Sequence, residues 1–276
     1  MTAAGLEVRA ITMTFGGVHA LDNVSFSITP GSVHALIGPN GAGKSTCFNV
    51  ITGVYTAAAG QVLLDGMDIT RDRPHRRCRH GMARTFQNIV LARDMTVRDN
   101  LLVARHHLGR AGIPATALGL PAARRERRRD LARVTEVADF IGITGALDDL
   151  VRTLPYGTQK QVEVARALCT DPRILLLDEP VAGMNDGETE QMAGLVSRVR
   201  DELGLSVLLV EHHMGLVMQL ADRITVLSFG RRIADGTVTE VQADPAVIEA
   251  YLGTPVADTT APQPNQTREK HDASTN

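Results

Sequence analysis

Gly38-Pro39-Asn40-Gly41-Ala42-Gly43-Lys44-Ser45 fits the pattern GxxxxGK[ST]. An apolar run from Ser32 to Ile37 precedes it and reads as a buried strand. A helix is expected to follow from Lys44 to about Thr52, with Gly53 as its C-terminal stop. Strand, glycine-rich turn and helix, in that order, form the context in which this pattern cradles phosphate. The glycines let backbone N–H groups turn inward, and the helix N-terminus adds the positive end of its dipole. Lys44 is placed to reach the β- and γ-phosphates of a nucleotide, and the Ser45 hydroxyl to ligate Mg²⁺. An ordinary glycine-rich turn is the competing reading, and the flanking strand and helix weigh against it.

Ile174-Leu175-Leu176-Leu177-Asp178-Glu179-Pro180 is the second decisive stretch. A strand this apolar belongs inside a sheet, so its C-terminal acids point at the crevice beside the phosphate loop. Asp178 is expected to complete a Mg²⁺ shell, and Glu179 to orient or deprotonate a water. Further short apolar strands are expected at Leu6 to Ile11, Val24 to Ile28, Gln61 to Leu64, Val207 to Val210 and Ile224 to Leu227. Helices are expected at about Gly187 to Leu203 and Met214 to Leu220. From Thr96 to Leu168 the periodicity is helical, with no convincing strand. The pattern predicts an α/β fold with parallel strands and a helical block set into its middle.

The chain has 276 residues, 43% hydrophobic and 22% charged. That length accommodates a core without disulfides or a structural metal. The net charge of −2 and the 3% aromatic content, with no Trp, speak against a nucleic-acid surface. The three cysteines, Cys47, Cys78 and Cys169, form no CxxC pair and read as reduced thiols. No membrane-spanning run or secretory leader is read, so a cytoplasmic chain is expected. The run Arg124-Arg125-Glu126-Arg127-Arg128-Arg129 is either a solvated helix face or a contact for anionic lipid. Residues 254–276 are rich in Thr, Pro, Asn and Gln and read as a disordered tail.

At this point the sequence resembles the ATP-binding subunits of ABC transporters, over nearly all of residues 6 to 253. The resemblance implies a P-loop NTPase, RecA-like core of the ABC type with an N-terminal antiparallel β portion. It implies one nucleotide-binding domain over residues 1–253, with a helical subdomain inserted at about 88–168. Phe15 matches the family's adenine-stacking aromatic. The nucleotide would be held by Phe15, Gly38, Pro39, Asn40, Gly41, Ala42, Gly43, Lys44, Ser45 and Thr46. Gln87 matches the glutamine that approaches Mg²⁺, so Ser45, Gln87 and Asp178 form the implied metal set. His212 matches the switch histidine on the γ-phosphate, with adjacent His213 as the competing choice. The catalytic set is then Glu179, His212, Gln87 and Lys44.

The family's signature, usually LSGGQ, stands here as Leu154-Pro155-Tyr156-Gly157-Thr158, followed by Gln159. Only Leu154 and Gly157 match outright. Proline suits a first helical turn, and a helix is expected over Thr158 to Leu168. Gly157 N–H and the helix dipole are then expected to meet phosphate without the usual serine. The segment Ala182-Gly183-Met184-Asn185 carries Asn where the family more often has Asp.

Gly81 to Gln87, the Leu-Pro-Tyr-Gly signature, Glu211-His212-His213-Met214 and Asp244 to Gly253 look like the branched-chain amino acid type importers. That resemblance implies ATP and Mg²⁺ as cofactors and a second ATPase subunit, identical or related. It also implies two membrane permease subunits, an indirect substrate-binding protein, and a place on the cytoplasmic face of the membrane. The helical block and the Gln87 region would form the groove where the permease docks. Uptake of urea or short amides by the same kind of subunit, and a soluble ABC ATPase outside transport, are the alternatives. A P-loop kinase or GTPase is disfavoured by the order of motifs and the lack of an NKxD.

Overall fold

A computed structural model of the chain describes residues 3–85, 89–109 and 120–252. The side chains of His107 and Leu252 are not described. Among the described residues, ten strands form two sheets. The smaller sheet is antiparallel: β1 (Leu6–Phe15), β2 (Val18–Ile28), β4 (Ala59–Leu64) and β5 (Met67–Asp68), in the order β2-β1-β4-β5. The larger contains β3 (Val33–Ile37), β6 (Met82–Arg84), β7 (Ile174–Asp178), β8 (Ser206–Val210), β9 (Arg223–Ser228) and β10 (Arg231–Gly236). Its order is β10-β9-β3-β8-β7-β6, parallel throughout except for the edge strand β10.

Nine α-helices complete the described residues: α1 (Lys44–Ile51), α2 (Pro74–Arg79), α3 (Val97–Arg105), α4 (Pro121–Ile141), α5 (Tyr156–Leu168), α6 (Asp186–Asp201), α7 (Met214–Leu220), α8 (Val238–Ala243) and α9 (Pro245–Leu252). None of them is long and apolar enough to cross a membrane. The α/β class read from the sequence is the observed one.

Strands β3, β7 and β8 are buried at every position because both faces of the large sheet are covered. The two-residue period divides their side chains between two cores. Ile174, Leu176, Leu208 and Val210 face the antiparallel sheet and α1, together with Phe48, Leu6 and Val62. Leu175, Leu177, Val207 and Leu209 face the helical side, with Val162, Val137, Leu101 and Met192. A third cluster seats Ala35 and Ile37 against Val217, Val241 and Val247, so α7, α8 and α9 support the strand that leads into the phosphate loop.

Several boundaries differ from the sequence reading. β1 runs on to Phe15 and β2 begins at Val18, because register shifts and left-handed residues at Ala10 and Asn23 interrupt the alternation without ending the pairing. β6 is three residues long and follows a helix closely, too short for periodicity to show. β10 is half-polar, as suits an edge strand, and it too goes unread. The arginines of the 124–129 run are exposed on α4.

Candidate nucleotide site

The phosphate loop leaves the buried end of β3 and meets two close backbone neighbours. A Cβ on Gly38 (φ 152°) would lie 2.2 Å from the Leu227 carbonyl oxygen. One on Gly43 (φ 100°) would lie 2.7 Å from the Ala20 carbonyl oxygen. Only glycine fits at either place, which explains the spacing of the motif. Gly43 is the N-cap of α1, with no side-chain cap and no acid in the first turn, so no side chain occupies the helix N-terminus. Asn40 is exposed, Pro39 is half-buried and Ala42 is buried with its N–H on the Pro39 carbonyl at 3.1 Å. Ser45 is exposed and Thr46 half-buried in the first turn of α1.

Lys44 is buried across its own loop. Its Nζ donates to the Gly38 carbonyl at 2.6 Å and to the Pro39 carbonyl at 3.0 Å. Burial pulls its pKa down, while Glu179 and Asp178 work in the other direction. Those contacts define where an anion would displace the ammonium from its own carbonyls.

Asp178 ends β7, and its backbone N–H meets the Thr85 hydroxyl at 3.3 Å. Burial, and then the neighbouring Glu179, push its carboxyl up to about 6. Glu179 sits at φ 48°, in left-handed space, and its N–H continues the ladder onto the Val210 carbonyl at 2.9 Å. Such a conformation costs a non-glycine residue about 1–3 kcal/mol and is typical of functional sites.

The end of β8 completes the cluster. Glu211 is fully buried, and its carboxylate accepts N–H groups from Val181 (3.3 Å), His212 (3.0 Å) and His213 (3.2 Å). It therefore staples the turn after Glu179 to the loop carrying both histidines. The structure separates those histidines. His213 Nδ1 accepts from Leu216 N–H at 3.2 Å as the N-cap of α7. His212 remains exposed, with Nδ1 3.7 Å from Glu179 and 3.8 Å from Glu211. In the sequence Glu211 stands out only as part of the Glu211-His212-His213-Met214 stretch; its place at the end of the apolar strand β8 is the signal of its burial.

Phe15 lies exposed at the tip of the β1–β2 hairpin, edge-on to Tyr55 at 5.3 Å between ring centroids. Tyr55 is a second missed residue, because nothing in its local sequence links it to the hairpin. Gln87, with Phe86 and Asn88, lies outside the described residues. Beyond it, Val90 N–H donates to buried Glu163 at 3.1 Å, and Arg166 donates to the Val90 carbonyl. Val90, Val103, Cys78, Arg84 and Arg166 line a cleft of about 440 Å³ between the large sheet and the helices.

The signature segment opens α5. Pro155 is the N-cap rather than a first-turn residue, so the helix begins at Tyr156, two residues ahead of the expected Thr158. Leu154 is half-buried, and its carbonyl accepts from the Gln159 side chain at 2.8 Å. Gly157 is buried, and a Cβ there would lie 2.5 Å from a Glu188 carboxylate oxygen. Thr158 is half-buried beside Met184 and Glu188.

A phosphate loop with glycine-only positions at 38 and 43, two acids at the end of the buried strand β7 and a facing histidine define an α/β P-loop nucleoside triphosphatase. Similarity narrows the class. The ABC transporter family model matches residues 21–182. The model for branched-chain amino acid ATP-binding cassette transporters matches residues 231–257. The chain is 42% identical to the high-affinity branched-chain amino acid transport ATP-binding protein BraF of Pseudomonas aeruginosa, over 90% of this chain and 97% of that one. It is 40% identical to the corresponding protein LivG of Escherichia coli K12, over the same shares. A nucleotide-free crystal structure of an ATP-binding cassette from an ABC transporter superposes with a TM-score of 0.79 at 32% identity, over 92% of this chain and 100% of that one. An ADP-bound cassette gives the same TM-score. The chain belongs to the ATP-binding subunits of ABC transporters, whose work is to hydrolyse ATP.

Proposed function

We propose that this chain is the energy-coupling ATPase of an importer for amino acids, branched-chain ones among them. It works as one of two paired ATPase subunits, identical or related, on the cytoplasmic face of the membrane. Two permease subunits and a substrate-binding protein complete the system. Residues 1–253 act as one cassette, and the helical stretch at about 88–168 with the cleft at Val90 receives the permease. The observation that carries the catalytic reading is Glu179, held in a strained turn with His212 3.7 Å away and facing the phosphate loop's side of the sheet.

Glu179 accepts the proton of the attacking water, a role for which its fixed turn is preorganised. His212 and Lys44 hold the γ-phosphate oxygens and stabilise the charge that develops there. The loop N–H groups of residues 38–46 bind the remaining phosphates, and Phe15 offers a ring face to adenine. Gly157 of the second subunit closes the γ-phosphate from the opposite side. Ser45 and Asp178 offer a hydroxyl and a carboxylate, hard oxygen donors that suit Mg²⁺. The proximity of Glu179 to a carboxyl already raised to about 6 marks a place where a cation relieves repulsion. Ser45 and Asp178 would hold Mg²⁺ there, which would supply neutralisation of phosphate charge.

Two measurements test this reading. Glu179→Gln lowers kcat about 100-fold or more and yields an ATP-bound dimer on size exclusion. In proteoliposomes with its membrane partners, the wild-type chain drives ATP-dependent leucine uptake and Glu179→Gln does not. A fully active Glu179→Gln overturns the catalytic assignment, and uptake of urea or short amides in place of leucine overturns the amino-acid assignment.

A further inference from the structure

Tyr156 stands where the family signature has glycine, and its contacts run inward along the same chain. Its hydroxyl donates to the Ala182 carbonyl at 3.1 Å. Its ring carbons lie 3.4–3.6 Å from the place of a Cβ on Gly183. Gly183 is left-handed (φ 79°), so the ring meets a position where only glycine is unstrained.

The Ala182–Gly183 turn is itself tied to Glu179. Ala182 N–H donates to the Glu179 carbonyl at 3.2 Å, and Met184 N–H to the Val181 carbonyl at 3.0 Å. One turn along α5, buried Lys160 holds its ammonium 6.0 Å from the Tyr156 ring centre. Asp178 feels the Lys160 charge in turn. Tyr156 is 44% exposed, so little of its stabilisation comes from burial. The specific feature is its hydroxyl, bonded to the turn that follows the acid pair.

We propose that Tyr156 is a positioning residue. It ties the signature segment to the turn carrying Glu179, so that a nucleotide presented by the second subunit at Gly157 sets Glu179 in this subunit. The inference rests on the paired arrangement proposed above. Each chain thereby links the nucleotide it borrows to the one it hydrolyses.

The test compares ATPase curves against ATP concentration for wild type, Tyr156→Phe and Tyr156→Gly. Tyr156→Phe removes the hydroxyl alone. It is expected to lower kcat about fivefold, the worth of one neutral hydrogen bond, and to bring the Hill coefficient toward unity. Binding of a fluorescent ADP analogue to the isolated, unpaired subunit stays unchanged, because Tyr156 does not touch its own phosphate loop. Tyr156→Gly moves the same readouts further. A Tyr156→Phe enzyme with wild-type kcat and Hill coefficient overturns the tie, as does an equal loss of ADP affinity in the unpaired subunit. Failure of Glu179→Gln to trap a dimer removes the pairing itself, which separates the two failures.

Discussion

The phosphate loop and the signature segment are two helix N-termini built on opposite plans. Both lack a capping side chain and an acid in the first turn. By contrast, α6 and α8 carry full capping boxes, Asn185 with Glu188 and Thr237 with Glu240. Helices α2 and α4 also open without a side-chain cap or a first-turn acid, so an unfilled N-terminus admits an anion without marking a site. The difference lies in what surrounds them. The phosphate loop has a buried cation, two acids and a histidine supplied by its own strands. The signature has an N-cap proline, a buried glycine and a glutamate that belongs to the capping box of α6. One site holds its chemistry, and the other presents a buried glycine at a helix start, which under the proposed pairing meets a nucleotide brought by a second subunit.

The largest expected effect removes the cation on the self-sufficient side. Lys44→Ala is predicted to lower kcat/KM for ATP about 100-fold or more, read in a steady-state assay. Wild-type kinetics would dissolve the contrast, because the loop would then be as passive as the signature.

The two sites also stand on different buried groups. Beneath the phosphate loop, His34 on β3 bonds Thr225 at 2.8 Å through Nε2, stacks near Phe26, and is lowered by burial to a pKa of about 4. Its neutral form is favoured in the fold, so the unfolded chain binds the extra proton between the two pKa values. Its stabilisation is complete above the unfolded value of 6.5 and fades as pH falls toward 4. Between pH 7 and pH 5 this predicts a loss of about 2 kcal/mol, measurable by denaturant unfolding. His34→Gln should flatten that dependence. An unchanged slope in the variant would assign the acid sensitivity elsewhere.

On the signature side, Gly157→Ala drives a methyl into the Glu188 carboxylate. We expect kcat to fall about tenfold while ADP affinity of the unpaired subunit stays unchanged. Adding Glu188→Ala should restore part of the rate. A drop in ADP affinity would show that the two sites are not separable. The smallest effect is expected for Pro155→Ser, within about twofold in rate, because backbone rather than hydroxyl meets the phosphate. A large gain would show that the missing serine impairs this segment.

Legibility in the sequence followed the same divide. The phosphate loop, the β7 acids and α7 were readable because local spacing encodes them, and α7 runs from Met214 to Leu220 as expected. Lys44, Asp178 and Glu179 face one crevice for the same reason: each ends or follows a strand of one sheet. The signature was readable only through resemblance, and its helix start was misjudged because Pro155 caps rather than enters α5. The contacts that join residues through space went unread, even where the residues themselves were quoted. Glu211 under three N–H groups, Tyr55 against Phe15, and Tyr156 on Ala182 each depend on segments that sequence order keeps apart.

The position of β3 has a consequence for how the chain is made. It lies in the centre of the large sheet, yet both neighbours come from far downstream, β8 at Ser206–Val210 and β9 at Arg223–Ser228. Pairings of such sequence separation form slowly and late. During synthesis the nucleotide loop emerges early but has no sheet to stand on until the last third of the chain has left the ribosome. Nucleotide binding is therefore gained near the end of translation, and a nascent chain halted before β8 exposes an apolar strand whose partners have not yet been made.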